Sequence, residues 1–361
     1  KNNLISNYKP VFFRLVEGQA KEKCELLIQG KNRFDNISNN EFKKIPGSPL
    51  AYWISQTTRN VFTRFKQIYD CSISEGQNKT ANNDTYLRFH WEVSEHKIEP
   101  AGKWSLYAKG GTFRKWYGNL EHVIDWSDSA RNYYRSDHSA RIIPEYLRFR
   151  EGITWSVISS AAQSFRYLPS SATFDMIGSS IFFKNKDDLR TCLSFLNTKI
   201  ASHLIKSFNS TLALPIENVR KLPIALSEIS PIPNYYEKLL LLAHIDWDYY
   251  ERSRDFKMFP LLEALMKRKT LESSYNAWII NSRKNIVDMK ELAEENNRLF
   301  LEIYGLKNEI TDEVPVEEIT LTVNPAFRYK NLSDEDQKSR FQHDTIIEYL
   351  SFSVGCMMGR Y

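Results

Sequence analysis

The chain has 361 residues, of which 42% are hydrophobic and 26% charged, and its net charge is +5. These values exclude a disordered, collagen-like or coiled-coil-only protein, and a chain this long can bury a sizeable core without disulfides. At about 100–200 residues per domain the length predicts two or three domains, and no apolar run approaches the roughly 18 residues of a membrane span.

The start, Lys1-Asn2-Asn3-Leu4, lacks the apolar stretch of a secretory leader. Neither end reads as a natural terminus, so a piece of a longer protein is expected. Residues 1–48 hold a strand over 11–16, a helix-like stretch and an Asn-rich linker over 32–40, closed by Pro46-Gly47-Ser48-Pro49. Short strands and loops follow over 49–233. The segments 86–93 and 181–183 are rich in strand formers. Leu189, Cys192, Leu193, Leu196, Ile200 and Leu204 fall at helical spacing and predict one helix over 187–207.

The chain changes character over 234–310, where two helices are predicted, 235–252 and 271–304. The second carries a seam of Tyr275, Ile279, Ser282, Ile286, Met289, Ala293, Asn296, Phe300 and Ile303, with Gly305 placed to end it. Over 311–361 a loop leads to a last helix that begins at Ser333 and carries Asp336 three residues on. The predicted fold class is therefore α+β, a mixed α/β domain followed by a long-helix spacer region. The four cysteines, Cys24, Cys71, Cys192 and Cys356, include no Cys-x-x-Cys pair. They read as buried free thiols of a reducing, cytoplasmic protein, and no metal site is expected.

Several chemical motifs fail on inspection. Gly76 to Thr80 resembles the tail of a phosphate loop, but Ile73 stands where its upstream glycine belongs. Asn324-Pro325-Ala326-Phe327 resembles the base-holding loop of amino-methyltransferases, but its second proline is replaced by Ala326 and no glycine-rich cofactor turn precedes it. Both are read as loops, and His203 as structural.

One constellation remains. From Lys103 to Gly118 there are four cations, Lys103, Lys109, Arg114 and Lys115, and no acid, interleaved with Trp104, Tyr107, Phe113, Trp116 and Tyr117. Over 271–320, by contrast, eleven acids oppose five bases. Cations neutralise phosphates, and glycines such as Gly110 and Gly111 let backbone approach closely. Composition leaves nucleic acid, carbohydrate and protein partners open.

Lys109-Gly110-Gly111-Thr112-Phe113-Arg114-Lys115-Trp116-Tyr117-Gly118-Asn119 resembles a signature of the adenine-specific DNA methyltransferases of BREX phage-defence systems, the PglX family. Further blocks agree in order: Ile45 to Trp53, Lys79 to Phe89, Glu151 to Ser156, Phe174 to Phe182, Asp246 to Phe256, Ile303 to Ile319 and Gly355 to Tyr361. Two departures stand out. Ala81 replaces a family glycine, and Asn324-Pro325-Ala326-Phe327-Arg328-Tyr329 falls in the C-terminal part, away from the catalytic loop.

The resemblance implies a DNA target-recognition domain over 49–233. Residues 1–48 would connect it to an absent upstream methyltransferase domain, 234–310 would be a helical spacer, and 311–361 a truncated end. It implies double-stranded DNA as partner, with other defence proteins as further partners and no membrane. S-adenosylmethionine would bind the parent enzyme, with no cofactor in this chain. The parent would methylate adenine N6, and the chain alone would be inactive. The DNA contacts expected are Lys103, Lys109, Gly110, Gly111, Arg114, Lys115, Trp116 and Arg166. Two alternatives are the specificity part of a fused restriction–modification enzyme and a protein-interaction scaffold that uses the acidic helical half.

Overall fold

The computed structural model describes residues 8–159, 162–229, 235–265 and 270–360. The front half builds two four-stranded sheets. Their strands, in chain order, are β1 (Ser72–Ile73), β2 (Leu87–Phe89), β3 (Trp104–Ala108), β4 (His122–Asp125), β5 (Gly152–Trp155), β6 (Phe165–Leu168), β7 (Ala172–Phe174) and β8 (Ser180–Phe183). The first sheet has the order β7–β3–β4–β2, with β7 parallel to β3 and the other pairs antiparallel. The second has the order β1–β8–β5–β6 and is antiparallel throughout.

Side chains alternate across a strand, so each sheet face has its own core. Leu106 and Ala108 of β3 join the main core. Tyr107, between them, turns to the other face with Leu87 and Ile124 and meets helix α1 (Asp128–Ser136) through Ala130 and Tyr134. Ser127 caps that helix by accepting from the Ala130 amide at 3.3 Å. The predicted strand over 86–93 stops at Phe89, because the Glu92 carboxylate takes the Phe89 amide at 2.6 Å and starts a single turn. Ahead of the sheets, the expected strand 11–16 shortens to Phe12–Phe13, paired with Arg33–Phe34.

The helix predicted over 187–207 is two helices, α2 (Lys186–Leu196) and α3 (Lys199–Phe208). The break has a local cause. Asn197 bonds Phe165 through both amide atoms, at 3.1 and 3.0 Å, and Thr198 caps α3 by accepting from the Ala201 amide at 3.2 Å. Helix α4 (Tyr235–Asp248) ends before its predicted limit. Helix α5 (Leu271–Tyr304) runs 34 residues as expected. Its Ser282, Ile286, Met289, Asn296 and Phe300 are buried, and Asn296 donates to the Ser194 carbonyl at 2.9 Å, which explains a polar residue within the seam. Gly305, at φ +71°, closes it. Ser333 caps helix α6 (Asp334–Met357) by accepting from the Asp336 amide at 3.2 Å.

The class is α+β. One apolar cluster reaches from Ile45 to Phe352, so the helices pack directly on the sheet-bearing half. Phe195 of α2 meets Phe300 and Tyr304 of α5 at ring separations of 5.5 and 5.3 Å. The cysteines differ from expectation: Cys192 is buried and Cys71 half-buried, but Cys24 and Cys356 are exposed. Among the described residues no helix is long and apolar enough to cross a membrane.

Candidate nucleic-acid interface

The expected contacts lie around the turn that leaves β3. Gly110 and Gly111 have φ of +83° and +128°, and a Cβ on Gly111 would sit 2.7 Å from the Asn119 amide group. That close approach lets Asn119 Nδ2 reach the Thr112 carbonyl at 2.9 Å and fixes the loop. Gly111 and Thr112 stand exposed at its tip.

Beyond the tip the chain turns inward. Trp116 donates its amide to the Phe165 carbonyl at 2.9 Å and accepts from the Tyr167 amide at 2.7 Å, which lays it along β6; it is only 2% exposed and belongs to the core. Arg114 is 6% exposed and pairs with Asp246 of α4 at 3.1 Å. Asp246 also takes the Thr322 and Val323 amides at 2.7 and 3.0 Å, and Arg114 reaches Thr322 Oγ1. One buried ion pair therefore ties the loop, α4 and the segment before Asn324 together. Arg166 is buried too, donating to the Arg114 carbonyl at 3.3 Å. Burial, with the charge of Arg114, pushes its pKa down to about 10. Lys115 Nζ reaches the Asn197 carbonyl at 3.4 Å and lies 3.9 Å from Glu318; burial lowers its pKa and Glu318 opposes the shift.

Of the expected contacts, Arg114, Trp116 and Arg166 are thus buried and Lys115 is half-buried, each held by groups of the protein itself. Lys103 is exposed at the start of β3, and Lys109 is partly exposed, 3.9 Å from Asp175.

Further accessible cations stand on a different element. The outer face of α1 carries Arg131, ion-paired with Asp128, and Arg135, bonded to Asn132 at 3.0 Å. His138 and Arg141 follow in the next loop and are exposed. Arg141 exchanges backbone bonds with Lys79 at 2.8 and 2.9 Å, which brings the Asn-rich 77–83 loop alongside. Arg148 lies over the Trp126 ring at 5.9 Å. Its pKa is lowered first by burial, partly offset by Glu145, and further by repulsion from Arg135 and Arg131, so three guanidinium groups share one field. Among the described residues no carboxylate pairs with Lys79, Arg135, Arg141 or Arg148. Sequence reading passed over this face because Asp128 and Asp137 dilute the charge along the chain. The i, i+4 spacing of Arg131 and Arg135 was the signal that could have found it.

The rejected motifs stay structural. Asn324 caps the turn Pro325–Arg328 and donates to the Val316 and Ile319 carbonyls at 2.8 and 2.9 Å, which uses its amide fully. Asn78 is bonded to Thr173, Phe174 and Ile143 and holds no phosphate loop open. His203 sits 3.3 Å from Thr58 Oγ1. His244, Asp248 and Asp255 bring metal-capable atoms within 4.8 Å of one another; His244 is 3.3 Å from Asp248, which also accepts from Ser253 at 2.6 Å. The turns from β4 into α1 and from β8 into α2 carry no glycine. Neither turn is therefore the glycine-rich strand-to-helix turn that cradles a nucleotide-like cofactor.

No family model matches the chain. It is similar to an adenine-specific methyltransferase BrxX of Escherichia coli O9:H4 (strain HS), 33% identical over 368 residues, which is 100% of this chain and 30% of the relative. It is also similar to an adenine-specific methyltransferase PglX of Lacticaseibacillus casei (strain Zhang), 31% identical over 383 residues, 99% of this chain and 30% of the relative. The chain thus spans about 30% of the length of the curated relatives it matches.

Proposed function

We propose that this chain, homologous along its whole length to part of the adenine-specific methyltransferases BrxX and PglX, is the DNA-recognition part of such an enzyme in a BREX phage-defence system. The observation that carries the reading is the cationic face of α1 and the loops beside it, where Lys79, Arg135, Arg141 and Arg148 have no carboxylate partner among the described residues. Each cation set against a phosphate releases counterions and contributes affinity without sequence preference. Lys103 lies on the same sheet, beside the start of α1, because its carbonyl takes the Trp126 amide at 2.7 Å. Phosphate contacts set register, and nearby side chains on the sheet read bases.

Methyl transfer belongs to the rest of the parent. S-adenosylmethionine is the donor expected there, and this chain's residues neither cradle it nor activate it. The role of residues 49–233 is to decide where on a duplex the parent acts. The helical half, packed through the Arg114–Asp246 pair and the shared core, holds that unit in a fixed orientation.

The test exchanges residues 49–233 in the full-length parent for the matching segment of a relative and maps methylated adenines in cellular DNA. The methylated sequence moves with the segment. An unchanged methylated sequence would mean that specificity resides elsewhere. A second reading, docking of a protein partner, is favoured by Ile347, Leu350, Val354 and Met357, exposed along one stripe of α6. Capture of defence proteins by the wild-type parent, but not by a Leu350→Glu/Val354→Glu variant, would support it.

A further inference from the structure

Two thiols that DNA binding does not use lie against each other. Cys71 Sγ and Cys192 Sγ are 4.0 Å apart, although 121 residues separate them in the chain. The backbone that carries Cys71 is anchored on both sides. Ahead of it, Lys66 and Gln67 pair antiparallel with Ile224 and Pro223, and the Ile68 amide reaches the Leu222 carbonyl at 2.9 Å. Cys71 closes the single turn Ile68–Cys71, its thiol donating to the Ile68 carbonyl at 3.3 Å. Directly after it, Ser72 and Ile73 of β1 pair with Phe183 and Phe182 of β8. Arg220 ties the same segment down, donating to the Ser72 hydroxyl and carbonyl, both at 3.1 Å, and to the Tyr69 carbonyl at 3.4 Å. Helix α2 follows β8 across Lys184 and Asn185, and Asn185 caps it by accepting from the Asp187 amide at 2.9 Å. Cys192 stands on the buried face of α2 with Leu189 and Leu196. Strand pairing and a helix cap therefore set the contact between the two sulfurs.

The two thiols differ in what can reach them. Cys192 is fully buried, and Cys71 is half-buried. Burial first, then the neighbouring Cys71 thiol and Asp188, hold the Cys192 thiol well above its ordinary range, so it stays protonated at pH 7 and meets no solute directly. A reachable thiol beside a second, resolving thiol is the arrangement that turns a sulfenic acid into a disulfide. The sulfurs must close from 4.0 Å to about 2.05 Å, roughly 1 Å of travel each, which side-chain rotation supplies. Cys24 and Cys356 are exposed and have no thiol neighbour among the described residues.

We propose that Cys71 and Cys192 are a reversible oxidation site, which hydrogen peroxide converts from a dithiol to a disulfide. The Cys71 sulfur, as thiolate, attacks one peroxide oxygen. The O–O bond breaks, Cys71 becomes a sulfenic acid, and the hydroxide released leaves as water with the proton that the Cys71 thiol gave up. The Cys192 sulfur then attacks the Cys71 sulfur. The S–S bond forms, the S–O bond breaks, and the second hydroxide leaves as water with the Cys192 proton. Two thiols give up two electrons, and one peroxide is reduced to two waters. The bridge joins the turn ahead of β1 to α2, across the second sheet's edge. It does not depend on the DNA-binding reading, because the α1 cations stand on the first sheet.

The test uses the full chain with Cys24→Ser/Cys356→Ser, both exposed positions, so that only the pair remains. The reduced, folded protein is treated with hydrogen peroxide, quenched with N-ethylmaleimide, and read by intact mass and peptide mapping. The expected product has lost two hydrogens, takes up no maleimide and yields one crosslinked peptide containing Cys71 and Cys192. Dithiothreitol restores both thiols. In the same background, Cys192→Ala leaves Cys71 without a resolving thiol, so dimedone traps its sulfenic acid. Cys71→Ser leaves Cys192 reduced under the same peroxide, and this half-buried position keeps the test usable if the core change at Cys192 fails to fold. Three results would each overturn the site: Cys71 driven to sulfinic acid while Cys192 still takes up maleimide, both thiols still free after peroxide that oxidises Cys71 in Cys192→Ala, or a disulfide that dithiothreitol does not reduce.

Discussion

Removing either partner of the Arg114–Asp246 pair leaves a charge in the interior. Both side chains are under a tenth exposed and 3.1 Å apart. Breaking a buried pair from one side costs about 3–5 kcal/mol. The structure makes the two sides unequal. After Arg114→Ala, the Asp246 carboxylate keeps the Thr322 and Val323 amides, which favours the low end of that range. After Asp246→Ala, both amides lose their acceptor, and the mutually repelling Arg114 and Arg166 lose the carboxylate paired with Arg114, which favours the high end. At about 2 cal/mol/K of unfolding entropy per residue, a loss of about 3–5 kcal/mol lowers the melting temperature of a chain this long by about 4–7 °C. Thermal and urea unfolding followed by circular dichroism measure it, with duplex affinity taken on the folded fraction. Asp246→Ala unfolds at the lower temperature, and Arg114→Ala binds DNA with the salt dependence of wild type. An Arg114→Ala protein that melts like wild type and loses phosphate contacts would refute the reasoning, since Arg114 would then reach solvent.

Lys115→Met removes a cation whose pKa burial already lowers, so DNA affinity by anisotropy changes by less than about twofold and stability by less than about 1.5 kcal/mol. Burial lowers the His203 pKa below its ordinary 6.5, although Glu309 opposes the shift. A histidine held neutral in the folded state contributes stability that is full above pH 6.5 and is lost as pH falls through the lowered value. His203→Gln therefore flattens the acid limb of a melting-temperature-versus-pH curve. The purified chain, given S-adenosylmethionine and unmethylated DNA, transfers no methyl group in a radiolabel assay; transfer by pure chain would return Asn324 to consideration as a catalytic residue.

Much of the architecture was legible in the residues. The seam of α5, its glycine stop and the Ser333 cap depend on neighbours three and four residues apart, and such local patterns survive folding. The break between α2 and α3 was not legible, because Asn197 leaves the helix for Phe165, a strand residue that periodicity cannot see. The burial of Arg114 was illegible for the same reason on a larger scale. An acid-free window around Lys109 to Lys115 reads as a surface only if no acid arrives from elsewhere. Asp246 arrives from 132 residues away and takes Arg114 inside. The cations that stay in solvent were hidden by acids near them in sequence, Asp128 and Asp137, which serve the helix and its exit loop: Asp137 caps the turn through the Ser139 and Ala140 amides at 2.8 and 2.9 Å.

The most direct measurement is the salt dependence of duplex binding for the chain and for a Lys79→Ala/Arg135→Ala/Arg141→Ala variant. If these three exposed cations sit on phosphates, the slope of log affinity against log salt becomes shallower by about 2–3 in the variant, while its melting temperature holds. An unchanged slope in the folded variant would contradict the account and move any DNA contact off the α1 face.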